Sequence, residues 1–198
     1  MFNRVGQTTN ADLYNYKFDG GELYAMTSGG RTLDLYCKGL SADGLVAALG
    51  DLETDGWSEL RLDCNPFGDA GAEALAAWPG LAGAEILDLV DTEVGWRGLT
   101  ALAASPFAPR PVELRLDENP LYNRGVILLA GSPMVARLRH LGLSCTGISH
   151  KGVEALVASP HLAGLEVLDL TQTQLLRRSW RLLAERFPTV IGSPISEW

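Results

Sequence analysis

Leucines along this chain fall in pairs separated by one residue, and the pairs recur at a fixed step. A Leu-x-Leu unit begins at Leu33, Leu60, Leu87, Leu114, Leu141 and Leu168, a constant step of 27. Alternation of this kind buries one face of a short strand and leaves the intervening residue on the other face. Seven residues after each first leucine stand Leu40, Phe67, Val94, Leu121, Ile148 and Leu175, all large and apolar. Eleven residues on come Gly44, Gly71, Gly98, Gly125 and Gly152, with Ser179 as the one departure. Fifteen on come Ala48, Leu75, Leu102, Leu129, Leu156 and Leu183. These later apolar positions keep helical spacing, as in Ala-Glu-Ala-Leu-Ala-Ala after Gly71, and predict a helix of about two to three turns. The small residue at the glycine position is expected to let neighbouring helices approach. Pro79, Pro106, Pro133 and Pro160 close four of the units, and Pro188 follows one place late, because proline cannot continue a helical ladder.

One such unit cannot bury its apolar edge alone, whereas six stacked units make a continuous core. The fifth residue after each first leucine is Lys38, Asn65, Thr92, Asn119, Thr146 and Thr173. With that position included, the chain from about Arg31 to about Val190 resembles the ribonuclease-inhibitor-like subclass of leucine-rich repeats. The resemblance implies an α/β fold: a right-handed solenoid of six 27-residue strand-turn-helix coils, with a parallel sheet on the concave side and helices on the convex side. It also implies that Asn65, Thr92, Asn119, Thr146 and Thr173 hydrogen-bond the turn after each strand. Lys38 departs from the pattern, so the first coil is expected to be irregular there.

The ends read as caps. Residues 1–30 lack the repeat; Tyr14, Tyr16 and Phe18 alternate with polar residues, Asp19-Gly20-Gly21 offers a turn, and Leu23 and Tyr24 follow. That pattern predicts a hairpin closing the open end of the repeat domain, which takes up residues 31–198. The last coil, with Trp180 among Arg177, Arg178, Arg181 and Arg186, predicts a terminal helix with a polar outer face.

Composition narrows the function classes. A formal charge of −8 disfavours nucleic acid and anionic lipid, both of which require basic surface. No apolar run approaches the roughly 18 residues of a membrane helix. The polar first ten residues, the lack of any Asn-x-Ser/Thr site and only three cysteines lead us to expect a cytoplasmic protein.

Sites of chemistry are scarce. Asp63-Cys64-Asn65-Pro66-Phe67-Gly68 opens like a calcium loop, but Phe67 stands where an oxygen ligand belongs and Ala74 replaces the closing glutamate. No phosphate loop, dinucleotide fingerprint or zinc motif is present, so no cofactor or metal is expected. Among His140, His150 and His161, only His140 shares a strand and turn with a cysteine, Cys145, and the two flank the leucines on opposite sides. We therefore expect a non-enzyme. Cys37, Cys64 and Cys145 occupy one repeat position, and Cys37 and Cys64 on adjacent coils are within geometric range of a disulfide, although a reducing compartment argues against it.

The strand face opposite the helices carries the functional signal. Between the leucines stand Asp34, Arg61, Asp88, Arg115, Gly142 and Asp169, whose signs alternate over the first four coils. Neighbouring positions add Glu59, Asp63, Asp91, Glu113, Asp117 and Glu118. Nine carboxylates therefore face two guanidiniums, an excess of seven that nearly accounts for the whole net charge. Tyr36 and Val90 are candidate apolar anchors on the same face. These thirteen charged and apolar residues predict a cradle for a basic protein or peptide. The resemblance independently implies protein binding on the concave side, and as an alternative the inhibition or activation of an enzyme such as a nuclease or a small GTPase. A surface charged only for solubility would look similar in sequence.

Overall fold

The computed structural model describes residues 12–18, 21–27, 32–50, 52, 54 and 56–195, with side chains placed from Thr32 onward. Two antiparallel strands, β1 (Asp12–Phe18) and β2 (Gly21–Thr27), come first. The repeat follows as β3 (Thr32–Asp34), α1 (Ala42–Gly50), β4 (Glu59–Arg61), α2 (Gly68–Ala77), β5 (Ile86–Asp88) and α3 (Trp96–Ala104). It continues as β6 (Glu113–Arg115), α4 (Tyr122–Gly131), β7 (His140–Gly142), α5 (His150–Ala158), β8 (Val167–Asp169), α6 (Arg177–Arg186) and β9 (Thr189–Ile191). All strands form one sheet in chain order, parallel from β3 to β9, and from β3 to β8 each first leucine pairs with its counterpart in the next coil. β2 joins β3 antiparallel through Met26 and Asp34. The turn at Asp19 and Gly20 expected to join the hairpin lies outside the described residues.

The paired leucines, the position seven residues on and the position fifteen residues on are all buried in one continuous core. The helices run nine or ten residues, and α2 to α6 end where proline forces the preceding residue into extended backbone, as at Trp78 and Ser105. Two features depart from the sequence reading. The sheet continues beyond α6: β9 adds a seventh parallel strand at a step of 22 rather than 27, with Val190 opposite Leu168. The glycine position is also set mainly from within its own coil. A Cβ at Gly71 would lie 2.5 Å from Phe67, and one at Gly152 2.6 Å from Ile148; only at Gly98 does the neighbouring helix press as closely, with Ala72 Cβ at 2.8 Å.

Polar side chains fasten the coils. Asn65, fully buried, donates from Nδ2 to the carbonyls of Leu35, Leu62 and Asp63 and accepts the amides of Lys38 and Leu40, each at 3.0 Å. It thereby organises the first turn, where Lys38 offers no such group. Asn119 repeats the arrangement one coil pair later, toward Leu89, Thr92 and Val94. Thr92, Thr146 and Thr173 each donate to the carbonyl three residues back. Every coil also places the residue after the strand-face turn in the left-handed region: Cys37, Cys64, Asp91, Glu118, Cys145 and Gln172 have φ between 51 and 60°. This costs about 1 kcal/mol or more for a residue with a Cβ. Amides carried past the strands offset it, as Cys64 N donates to Val90 O and Glu118 N to Ser144 O, both at 2.8 Å.

Candidate functional site

On the strand face each arginine reaches back one coil. Arg61 Nη1 donates to Asp34 Oδ2 at 2.7 Å, and Arg115 Nη1 to Asp88 Oδ2 at 2.9 Å, while Arg115 Nη2 holds Glu113 at 2.6 Å. Burial alone would lower the Arg115 pKa, but its bonds to Asp88 and Glu113 raise it above the ordinary arginine value. Asp34 and Asp88 also accept the amides of Tyr36 and Val90 two residues on, and Glu59 accepts from Thr32 Oγ1. Asp88 is only 4% exposed, so it presents charge outward through Arg115 rather than by direct contact. The structure thus pairs Asp34 with Arg61, holds Glu59 against Thr32 instead, and gathers Asp88, Glu113 and Arg115 into one group.

Coil five breaks this pattern. Gly142 stands where the aspartates of coils one and three stand, and Asp117 swings over it to accept the Ser144 amide at 2.6 Å. A Cβ at 142 would overlap Asp117 Oδ2, so the glycine is what admits the carboxylate. The result is a depression of about 270 Å³ lined by Asp117, Asp169, Arg115, His140, Val167 and Ile191, among others. Burial pushes the Asp117 carboxyl up, and the charges of Asp169 and Asp88 push it further. Asp63, its equivalent two coils earlier, is raised chiefly by burial and then by Asp88, and its Oδ1 is enclosed with no hydrogen-bond partner. Asp169 accepts the Thr171 amide at 2.8 Å.

Asp91 and Glu118 are the outward acids: both are exposed at the left-handed turn position, and neither forms an ion pair among the described residues. Tyr36 is exposed and Val90 half-buried, and they occupy the same register two coils apart without forming a joint apolar patch. The three cysteines are free thiols, and Cys145 Sγ pairs with Gln172 of the next coil rather than with His140. On the last helix Arg186 caps α5 through the carbonyls of Val157 and Ser159, while Arg178 and Arg181 face solvent. No helix among the described residues is long and apolar enough to cross a membrane. His140, Val167 and Ile191 were not among the expected site residues. Gly142 was the sequence signal for them, being the one residue in its column without a side chain; Ile191 left no periodic trace because β9 falls out of step.

Repeated strand-helix coils on one parallel sheet, sealed by an Asn/Thr ladder and bare on the strand side, define a leucine-rich-repeat solenoid. The Leucine Rich repeat family model matches residues 58–76, which run from the edge of β4 through most of α2. Repeats of this family commonly mediate protein–protein interaction. No curated protein matches the chain.

Proposed function

We propose that the chain is a protein-interaction module that takes a basic protein or peptide on its acidic strand face. The observation that carries this reading is where the charge remains free: both strand-face arginines are committed to the chain's own carboxylates, while Asp91 and Glu118 stand exposed beside Asp63 and Asp117 with no ion pair among the described residues. A field of one sign steers an oppositely charged partner and selects against others. The helix in every coil and the Asn/Thr ladder support the ribonuclease-inhibitor-like subclass; we propose in addition residues 1–30 as the N-terminal cap, on the antiparallel pairing of β1 with β2 and of β2 with β3, and a cytoplasmic setting, on the low cysteine count.

Affinity capture with mass spectrometry, at low and high salt, tests this reading. The variant carrying Asp63→Asn, Asp91→Asn, Asp117→Asn and Glu118→Gln keeps size and polarity and should lose the salt-sensitive partners. The helix-side variant carrying Glu73→Gln and Glu185→Gln should keep them. If the strand-face variant captures the same proteins at every salt concentration, the acidic face is a solubility device. A nuclease or small GTPase among the captured proteins would move the reading to regulation of that enzyme.

A further inference from the structure

We propose that the depression over Gly142 receives an arginine side chain of the partner, its guanidinium lying between Asp117 and Asp169. This deepens the strand-face reading and rests on it. The chain builds the same pairing for itself twice, with Arg61 on Asp34 and Arg115 on Asp88 and Glu113, each guanidinium lying on the sheet against a carboxylate one coil back. At the next step of the ladder both halves are changed. Gly142 removes the aspartate expected of an odd coil, and Asp169 stands where coils two and four hold arginine. What remains is space and uncompensated negative charge: about 270 Å³, lined by Asp117 and Asp169, with no basic residue of the last coil among its lining. Arg115, the guanidinium in its lining, is already spent on Asp88 and Glu113.

Size and lining favour one long cationic side chain. The volume falls just below the roughly 300–1,000 Å³ of cofactor-sized pockets. Ile191, 44% exposed, and half-buried Val167 give an apolar wall along which an aliphatic stem can lie while its charged head reaches the acids. A guanidinium is planar and donates from several nitrogens, so it can serve two carboxylates together, as Arg115 does; an ammonium is a point charge without that fork.

The test uses the full chain, labelled with ¹⁵N, and three acetylated, amidated pentapeptides: Gly-Ser-Arg-Ser-Gly, its lysine counterpart and its citrulline counterpart, which keeps the shape without the charge. The arginine peptide should shift the amides of His140, Gly142 and Ile191 saturably, bind about fivefold or more tighter than the lysine peptide, and outbind citrulline by more. Asp169→Asn, which keeps the acceptor for Thr171, should weaken arginine binding about fivefold, while Asp91→Asn leaves it within about twofold. Equal binding of lysine and arginine overturns the pocket. So does equal weakening by Asp91→Asn and Asp169→Asn, or the lack of any saturable shift at these amides up to tens of millimolar peptide. In those cases, capture that still depends on Asp91 and Glu118 keeps the strand-face reading alive; capture indifferent to them ends both.

Discussion

The coils of β4 and β6 hold their neighbours, and the coils of β3, β5 and β7 are largely held. Asn65 and Asn119 reach back to amides and carbonyls of the preceding coil. From the same even coils, Asp69 accepts the amides of Gly95 and Gly98, and Asn123 those of Ser149 and Gly152, so each caps the N-terminus of the following helix. The arginines that neutralise strand-face aspartates belong to the even coils as well. The odd coils answer mainly at the helix ends, where Ser105 and Ser159 donate to the carbonyls of Ala76 and Ala130. A solenoid whose hydrophobic pattern repeats with every coil therefore has a polar pattern that repeats with every second coil. Leucine packing is the same in both coil types, so the difference lies in which coil supplies the hydrogen bonds that a dry turn requires.

The two coil types should differ most at the buried ladder. Asn119→Ala leaves the amides of Thr92 and Val94 without their acceptor, and should cost about 3 kcal/mol or more in equilibrium chemical denaturation. Thr146→Val removes one bond, to Leu143 O, at nearly constant volume and should cost about 1 kcal/mol. Equal losses would erase the distinction between holding and held coils.

At the helix ends the effect is smaller. Asp69→Ala should cost about 1 kcal/mol and speed hydrogen exchange at the amides of Gly95 and Gly98. Exposed Glu73 on the same helix gives the control, and Glu73→Ala should leave both amides protected. If the Gly95 and Gly98 amides exchange at the wild-type rate in Asp69→Ala, the cap does not cross between coils.

The smallest effect has a size that depends on pH. Burial raises Asp117 above its ordinary 3.8, so its ionised form weakens the fold at neutral pH. Asp117→Asn keeps an oxygen for the Ser144 amide and should stabilise the chain slightly at pH 7. The gain should shrink as pH falls through the raised folded value, and vanish below 3.8, where the carboxyl is protonated in both the folded and the unfolded chain. Stability curves for the two proteins that run parallel from pH 7 to pH 3 would show that the carboxylate carries no such cost.

Much of this was written in the repeat. The leucine positions, the helix lengths, the buried Asn/Thr column and the outward placement of the charged column all follow from side-chain periods, which are local geometry. The two-coil polar period was also visible, since Glu-Leu-Arg-Leu-Asp-x-Asn-Pro occurs at 59–66 and again at 113–120; reading one coil at a time averages it away. The left-handed turn residue left no trace because cysteine, aspartate, glutamate and glutamine stand there where glycine would have marked it. β9 was hidden by its shortened spacing, and with it went the apolar wall of the depression.

The sequence by itself determined which side chains turn inward and which outward, because alternation along a strand and the turn of a helix act within a few residues. Only the tertiary structure decided which outward charges are free. That depends on what lies one coil away: Asp88 meets Arg115 and is buried, Asp117 meets Gly142 and folds over it, and Asp91 meets no cation among the described residues and faces solvent. Residues one full coil apart in the chain become neighbours through sheet register, and the electrostatics of the face are set at that distance.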